Sequence, residues 1–177
     1  MRLDSGSSAY TGALWGSGTS FPTGPTTNQR FTRTDRGLDY YYDGTRWLTT
    51  TLYREHGLGG TTSATTNNQD RMTPHYTDYD LYFVDLLAST YVASGNTGSA
   101  YWTVDFFKID PSNVATNIGS ISTGATPDSN ATWTPHKTAI NAQIAPASFP
   151  EFRWDITKVS TPGNVSFSIA VTYRLVG

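Results

Sequence analysis

The stretch Val165–Leu175 alternates strictly. Val165, Phe167, Ile169, Val171, Tyr173 and Leu175 are large and apolar or aromatic, and the residues between them are small or polar. Side chains of a strand point alternately to its two faces, so this pattern places six bulky groups on one side. A helix would scatter them around its circumference. Each such side chain contributes roughly 1.5–3 kcal/mol when fully buried, so the pattern fixes the register of the strand. The same period recurs in Tyr101–Ile109, where Trp102, Val104 and Phe106 share a face. Further strands are predicted over Tyr79–Ala88, Tyr91–Ser94, Ala115–Ser122, Thr132–Ala139 and Glu151–Val159. Turn signals separate them at Gly95-Asn96, Asp110–Asn113, Gly124–Asn130 and Pro162-Gly163-Asn164, and one helical turn is predicted within Asn141–Pro150. Short strands with regular turn signals make residues 76–177 a jelly-roll-like antiparallel β-sandwich.

The first half reads differently. Residues 31–55 form a β-meander: Phe31–Asp35, a turn at Arg36-Gly37, Leu38–Tyr42, a turn at Asp43-Gly44, and a third strand from Arg46 to about Tyr53. Such a clip is too small to be stable alone in water and must dock on something. Residues 1–30 carry little core. Ser5–Ser8 and Gly16–Ser20 read as flexible, Pro22 and Pro25 stiffen an extended stretch, and Leu3, Tyr10, Leu14 and Trp15 are spaced anchors. This is either a loose tail or an arm pinned on a neighbour by Tyr10 and Trp15. Residues 56–75, rich in Gly, Thr and Asn, read as a polar linker. The expected fold is therefore all-β: an extended N-terminal arm, a β-hairpin or meander clip, and a jelly-roll-like sandwich.

Composition narrows the function. The chain has 177 residues, a formal net charge of −2, 15% charged residues and no cysteine. No basic excess exists to neutralise phosphates, which argues against nucleic acid as a partner. The missing cysteines exclude disulfides, thiol catalysis and thiolate metal sites together. No apolar run is long enough for a membrane-spanning helix, and Met1-Arg2-Leu3-Asp4 lacks the character of a signal peptide.

Candidate chemistry is sparse. His56, His75 and His136 have no metal-ligand spacing between them. Asp78, Asp80, Asp85, Asp105, Glu151 and Asp155 could supply the carboxylate pair of a glycosidase, which must stand roughly 5–10 Å apart, but no motif proposes one. No Gly-x-Ser-x-Gly elbow, phosphate loop or EF-hand loop is present. The sequence therefore predicts no enzyme and no cofactor. Aromatic residues are the better candidates. Trp47, Trp102, Trp133 and Trp154 with Tyr40–Tyr42 could stack on sugar rings, fill an interface, or form core. Trp102 and Trp154 suit the core, because both lie on apolar strand faces. Tyr40, Tyr41 and Tyr42 are consecutive, so they cannot all share one face.

The run Phe21-Pro22-Thr23-Gly24-Pro25 through Arg33-Thr34-Asp35 to Tyr40-Tyr41-Tyr42-Asp43-Gly44-Thr45-Arg46-Trp47-Leu48 resembles a motif of bacteriophage virion proteins, found in tail-fibre-like and other virion surface chains. The stretch from Tyr101–Ile109 to Tyr173-Arg174-Leu175 is more loosely similar to the β-domains that follow it. The resemblance implies a virion structural protein, a homotrimer, on the virion surface, and it brings no catalytic residue. The size of the chain favours a capsid decoration (cement) protein bound to the major capsid protein on the outer head. A tail-fibre or tail-tip protein recognising a host glycan, a carbohydrate-binding module and a small envelope hydrolase are the rivals. Partner-binding residues are expected in the arm and clip: Tyr10, Trp15, Phe21, Phe31, Arg33, Asp35, Tyr40, Tyr41, Tyr42, Asp43, Arg46 and Trp47. Asp35 and Asp43 close turns, Arg33 and Arg46 can pair with Asp35, Asp39 or Asp43, and Phe31, Leu38 and Trp47 form a small apolar cluster.

Overall fold

A computed structural model describes residues 15–62, 68–73, 78–93, 97–124, 131–145 and 151–177. The strands are β1 (Trp15–Gly18), β2 (Arg30–Arg33), β3 (Leu38–Tyr42), β4 (Trp47–Thr49), β5 (Tyr53–Thr62), β6 (Asn68–Met72), β7 (Leu81–Val92), β8 (Tyr101–Ile109), β9 (Ala115–Ser122), β10 (Trp133–Ile144), β11 (Glu151–Val159) and β12 (Val165–Leu175). No helix forms among the described residues. The chain divides into two compact units, one reaching to Thr51 and including Gly177, the other Leu52–Val176.

The larger unit is a sandwich of two four-stranded sheets, ordered β10-β7-β12-β5 and β6-β11-β8-β9. Its pairing is nested: β5 with β12, β6 with β11, β7 with β10 and β8 with β9, all antiparallel. A single long antiparallel ribbon is thus wrapped into two sheets, with β7–β12 and β8–β11 pairing across the wrap. This is the topology of a jelly roll. The predicted alternation builds the core. Val165, Phe167, Ile169, Val171, Tyr173 and Leu175 are all buried, as are Trp102, Val104 and Phe106. Phe106 stacks on Trp154 with centroids 4.3 Å apart, and Phe83 meets Phe152 edge-on at 4.9 Å. The indole N–H of Trp102 donates to the Gly163 carbonyl at 2.9 Å.

Several segments depart from expectation. Within the predicted linker 56–75, β5 and β6 form, and the division falls at Thr51 rather than beyond residue 55. β5 is held by its antiparallel pairing with β12, and Gly57 fits it to the core. A Cβ there would stand 2.5–2.7 Å from the Trp154 indole, so the glycine gives the ring its place in the core. β6 is an edge strand and needs no apolar run. The third clip strand stops at Thr49, and Tyr53 opens β5 and stacks on Tyr173 at 5.7 Å. Residues 81–92 form one continuous strand instead of two. Asn141–Ile144 continue β10 where part of a helical turn was predicted, with a register shift between Ala139 and Ala142. Pro135 is tolerated in β10 because that strand is an edge.

The smaller unit is one sheet ordered β1-β2-β3-β4, with β1 parallel to β2 and the others antiparallel. β1 arises inside the predicted arm, from Trp15-Gly16-Ser17-Gly18. Its glycines are not a flexible spacer. A Cβ on Gly16 or Gly18 would lie 3.1 or 3.3 Å from the Phe31 ring, so they let that ring lie across β1.

Candidate functional site

The clip has two unlike faces. On one, Phe31, Tyr40 and Trp47 are buried, with Phe21, Leu38 and Tyr42 packed against them. Phe21 is the hub. It lies nearly parallel to Trp47 at 4.8 Å and 9°, and it meets Tyr40 edge-on at 5.1 Å and Phe31 at 5.7 Å. The Arg33 guanidinium lies 5.0 Å from the Phe21 ring and holds Asp35 in two hydrogen bonds of 2.9 and 2.7 Å. That bond keeps the Asp35 carboxyl below its ordinary range. The Gly177 N–H donates to the Trp47 carbonyl at 2.9 Å, and a Cβ on Gly177 would collide with Phe21.

The first turn is closed by the Arg33 carbonyl, which accepts from the N–H groups of Arg36 and Gly37 at 3.2 and 2.8 Å, while the Asp35 carboxylate holds the Arg33 side chain; the second is closed by Asp43, as expected. Asp43 Oδ1 accepts from the backbone N–H of Thr45 and Arg46 at 2.7 and 2.8 Å, and Arg46 lies 3.6 Å from its carboxylate. Gly44 has φ +104 and Gly37 φ +65, values a side chain would strain. Of the pairings open to Arg33 and Arg46, the fold selects Asp35 and Asp43, both local.

The other face joins Trp15, Arg30 and Tyr41 in register, with Thr32 paired to Asp39. Trp15 donates its indole N–H to Thr32 Oγ1 at 3.2 Å, and the Thr32 hydroxyl donates to Asp39 at 2.6 Å. The Arg30 guanidinium lies 5.7 Å from the Trp15 ring. Trp15 is nevertheless 58% exposed. The predicted partner-binding set therefore falls into two groups. Phe21, Phe31, Tyr40, Tyr42 and Trp47 build the clip, helped by Arg33, Asp35, Asp43 and Arg46. Trp15 and Tyr41 lie on the second face, and Arg30 joins them there. Arg30 gave no signal in the sequence, because its place depends on the parallel pairing of β1. Tyr10 lies outside the described residues.

The sandwich also presents two outer faces. On β6-β11-β8-β9 the carboxylates singled out by sequence come together: Asp105 and Asp155 are direct cross-strand partners. Both are engaged within the sheet. Asp105 accepts from Asn117 at 3.0 Å and from Ser120, and Asp155 accepts from Gln69 and Arg153, each at 2.9 Å. Arg71 joins Glu151 at 2.7 Å, and Arg153 lies over Phe107 at 4.7 Å. These donors offset the repulsion expected of like charges placed opposite each other. No cluster of three or more metal-ligating acidic or histidine side chains occurs among the described residues. His136 accepts or shares a hydrogen bond with Thr90 at 3.0 Å, His56 is exposed, and His75 lies outside the described residues.

On β10-β7-β12-β5 the outer face carries Trp133, 54% exposed, against Tyr91 with centroids 5.7 Å apart. Of the four tryptophans considered for stacking, this one is presented outward. Trp47, Trp102 and Trp154 are buried. A surface depression of about 290 Å³ lies on the same unit, lined by Arg54, Leu87, Ser89, Pro135, His136 and Ser168 among others.

No protein-family model matches the sequence, and no curated protein does either. Among solved structures, the chain is similar to one of infectious bursal disease virus, Gx strain, at 12% identity and a TM-score of 0.41, over 75% of this chain and 35% of that one. It is similar to a family 16 carbohydrate-binding module at 14% identity and 0.36, over 73% and 80% of the two chains. It is similar to the tobacco streak virus coat protein at 8% identity and 0.33, over 70% and 85%. The chain thus spans about a third of the length of the bursal disease virus chain. What is established by the chain's own topology is an all-β protein whose larger unit is a jelly-roll sandwich.

Proposed function

We propose that the chain is a structural protein of a bacteriophage virion, and specifically a capsid decoration protein that binds the outer head shell and stabilises it. The carrying observation is the run from Phe21 to Leu48. Its resemblance to a virion-protein motif coincides with a compact aromatic clip in which Phe21, Phe31, Tyr40 and Trp47 form the core, Asp35 holds Arg33 and Asp43 sets its turn. A jelly roll, an architecture used by capsid and lectin domains, is compatible with this reading. In it the protein is a homotrimer on the capsid exterior, with the major capsid protein as partner and no catalytic role.

Attachment then belongs to the second face of the clip. Trp15, Arg30 and Tyr41 are the residue types that dominate binding energy at interfaces, and the bond to Thr32 already orients the indole. The test has two parts. Mild dissociation of virions followed by imaging reads whether the protein leaves the head or the tail; a protein confined to the tail tip sinks the decoration reading. Trp15→Ala with Tyr41→Ala should then abolish rebinding to stripped heads while the clip stays folded. Unchanged rebinding removes this face from the proposal.

A second reading, a receptor-binding protein of the tail, is favoured by the outward presentation of Trp133. The same imaging separates the two.

A further inference from the structure

The outer face of the β10-β7-β12-β5 sheet is laid out in cross-strand rows. Trp133, Tyr91 and Ser166 share one row; Pro135, Ser89, Ser168 and Gly59 share the next. Rows lie about 7 Å apart, two residues along each strand. The first row ends in an exposed indole, and the second is floored by hydroxyls and a glycine. The depression of about 290 Å³ opens on this second row, and Arg54 and Leu87 help to line it.

Three properties of this strip bear on its ligand. The Trp133 ring is large, apolar, and braced by Tyr91, so it offers a flat face at little cost in side-chain freedom. The small side chains of Ser89, Ser168 and Gly59 let a flat ring approach the sheet closely. Arg54 is exposed and has no ion-pair partner among the described residues, so its donors are available for oxygens of a ligand. Lys137, by contrast, is committed to Asp85 at 2.9 Å. A ligand that suits all three is flat and apolar on one side and rich in oxygen at its edge.

We infer that this strip is a saccharide-binding groove. One pyranose ring would stack its C–H face on Trp133, and the next would enter the depression, where Ser89, Ser168 and Arg54 meet its hydroxyl or carboxylate oxygens. The depression stands at the lower end of the range for small-ligand sites, which suits one or two sugar rings. The groove does not depend on where the protein sits in a virion. A head protein and a tail protein could both carry it.

The full chain is tested on an array of neutral hexose oligosaccharides and uronic-acid oligosaccharides. Binding to at least one class is expected. Trp133→Ala should weaken every positive interaction at least ten-fold, and Arg54→Gln should weaken the uronic class more than the neutral one. Val114→Ala, in the exposed turn before β9, should leave binding unchanged, and circular dichroism verifies that each variant is folded. An array on which nothing binds overturns the proposal, as does binding that survives Trp133→Ala.

Discussion

The clip and the sandwich bury aromatic side chains by different means. In the sandwich, two sheets share the work, and strands such as β8, β11 and β12 contribute a repeated pattern: every second residue of β12 from Val165 to Leu175 is buried. In the clip, one sheet of short strands covers its aromatic cluster through singular contacts. Phe21 lies outside any strand yet touches Phe31, Tyr40 and Trp47. A periodic core tolerates changes of shape that keep its period. A core organised around one ring does not. The clip therefore needs particular residues at particular places, and this is a physical reason for a specific motif in that part of the chain.

The largest effects should come from emptying either core. Trp154→Ala and Trp47→Ala are each expected to cost about 3–5 kcal/mol, measured by denaturant unfolding and by hydrogen exchange of their own strands. A much smaller loss for Trp47 would weaken the claim that the clip has a core of its own. Next come the positions where shape matters. Gly57→Ala drives a methyl group into the Trp154 indole and should cost about 1–3 kcal/mol.

The contrast itself is sharpest in a pair of conservative changes. Ile156→Leu in the sandwich should cost less than about 1.5 kcal/mol. Phe21→Leu in the clip should cost more than that, because it removes several ring contacts each worth about 0.5–1.5 kcal/mol. Equal losses would erase the distinction. Below these stands Asp43→Ala, which removes the acceptor of two turn hydrogen bonds and should destabilise the clip by about 1–2 kcal/mol.

The smallest effect concerns acid. Asp35 has its carboxyl lowered first by the hydrogen bond from Arg33. A group depressed in the folded state contributes stability above its unfolded pKa and loses it as pH falls through the folded one. The clip should therefore weaken slightly in acid, below the ordinary carboxylate range, and Asp35→Asn should remove that dependence. Chemical-shift titration of the β2–β3 turn reads both.

The same difference governs what could be read beforehand. β12 and β8 were legible because alternation alone reports a half-buried strand. β5 was not: Tyr53–Thr62 is polar and glycine-rich, and the role of Gly57 is set by Trp154, nearly a hundred residues away. β1 was hidden for a similar reason, since its glycines make sense only under Phe31. In the clip, the turn at Asp43 was legible because its chemistry is local, whereas Asp35 serves the Arg33 side chain and leaves its turn to the Arg33 carbonyl. The division of Tyr40 from Tyr41 was partly legible, because neighbours on a strand must part. The exposure of Trp133 was not, because it depends on which sheet β10 joins and on which face lies outward.

The nested pairing of the jelly roll also sets a timetable for its birth. β8 and β9 are joined by the Asp110–Val114 turn and can zip as soon as both exist. β12 lies between β7 and β5 in its sheet, and its Tyr173 hydroxyl reaches Glu55, 118 positions earlier in the chain. One side of β7 and one side of β5 therefore wait for a strand that is translated after both of them. At roughly 5–20 residues per second this interval lasts on the order of ten seconds, during which two long strand edges stand unpaired. Late closure follows from placing the most strictly alternating stretch of the sequence inside its sheet, between β7 and β5.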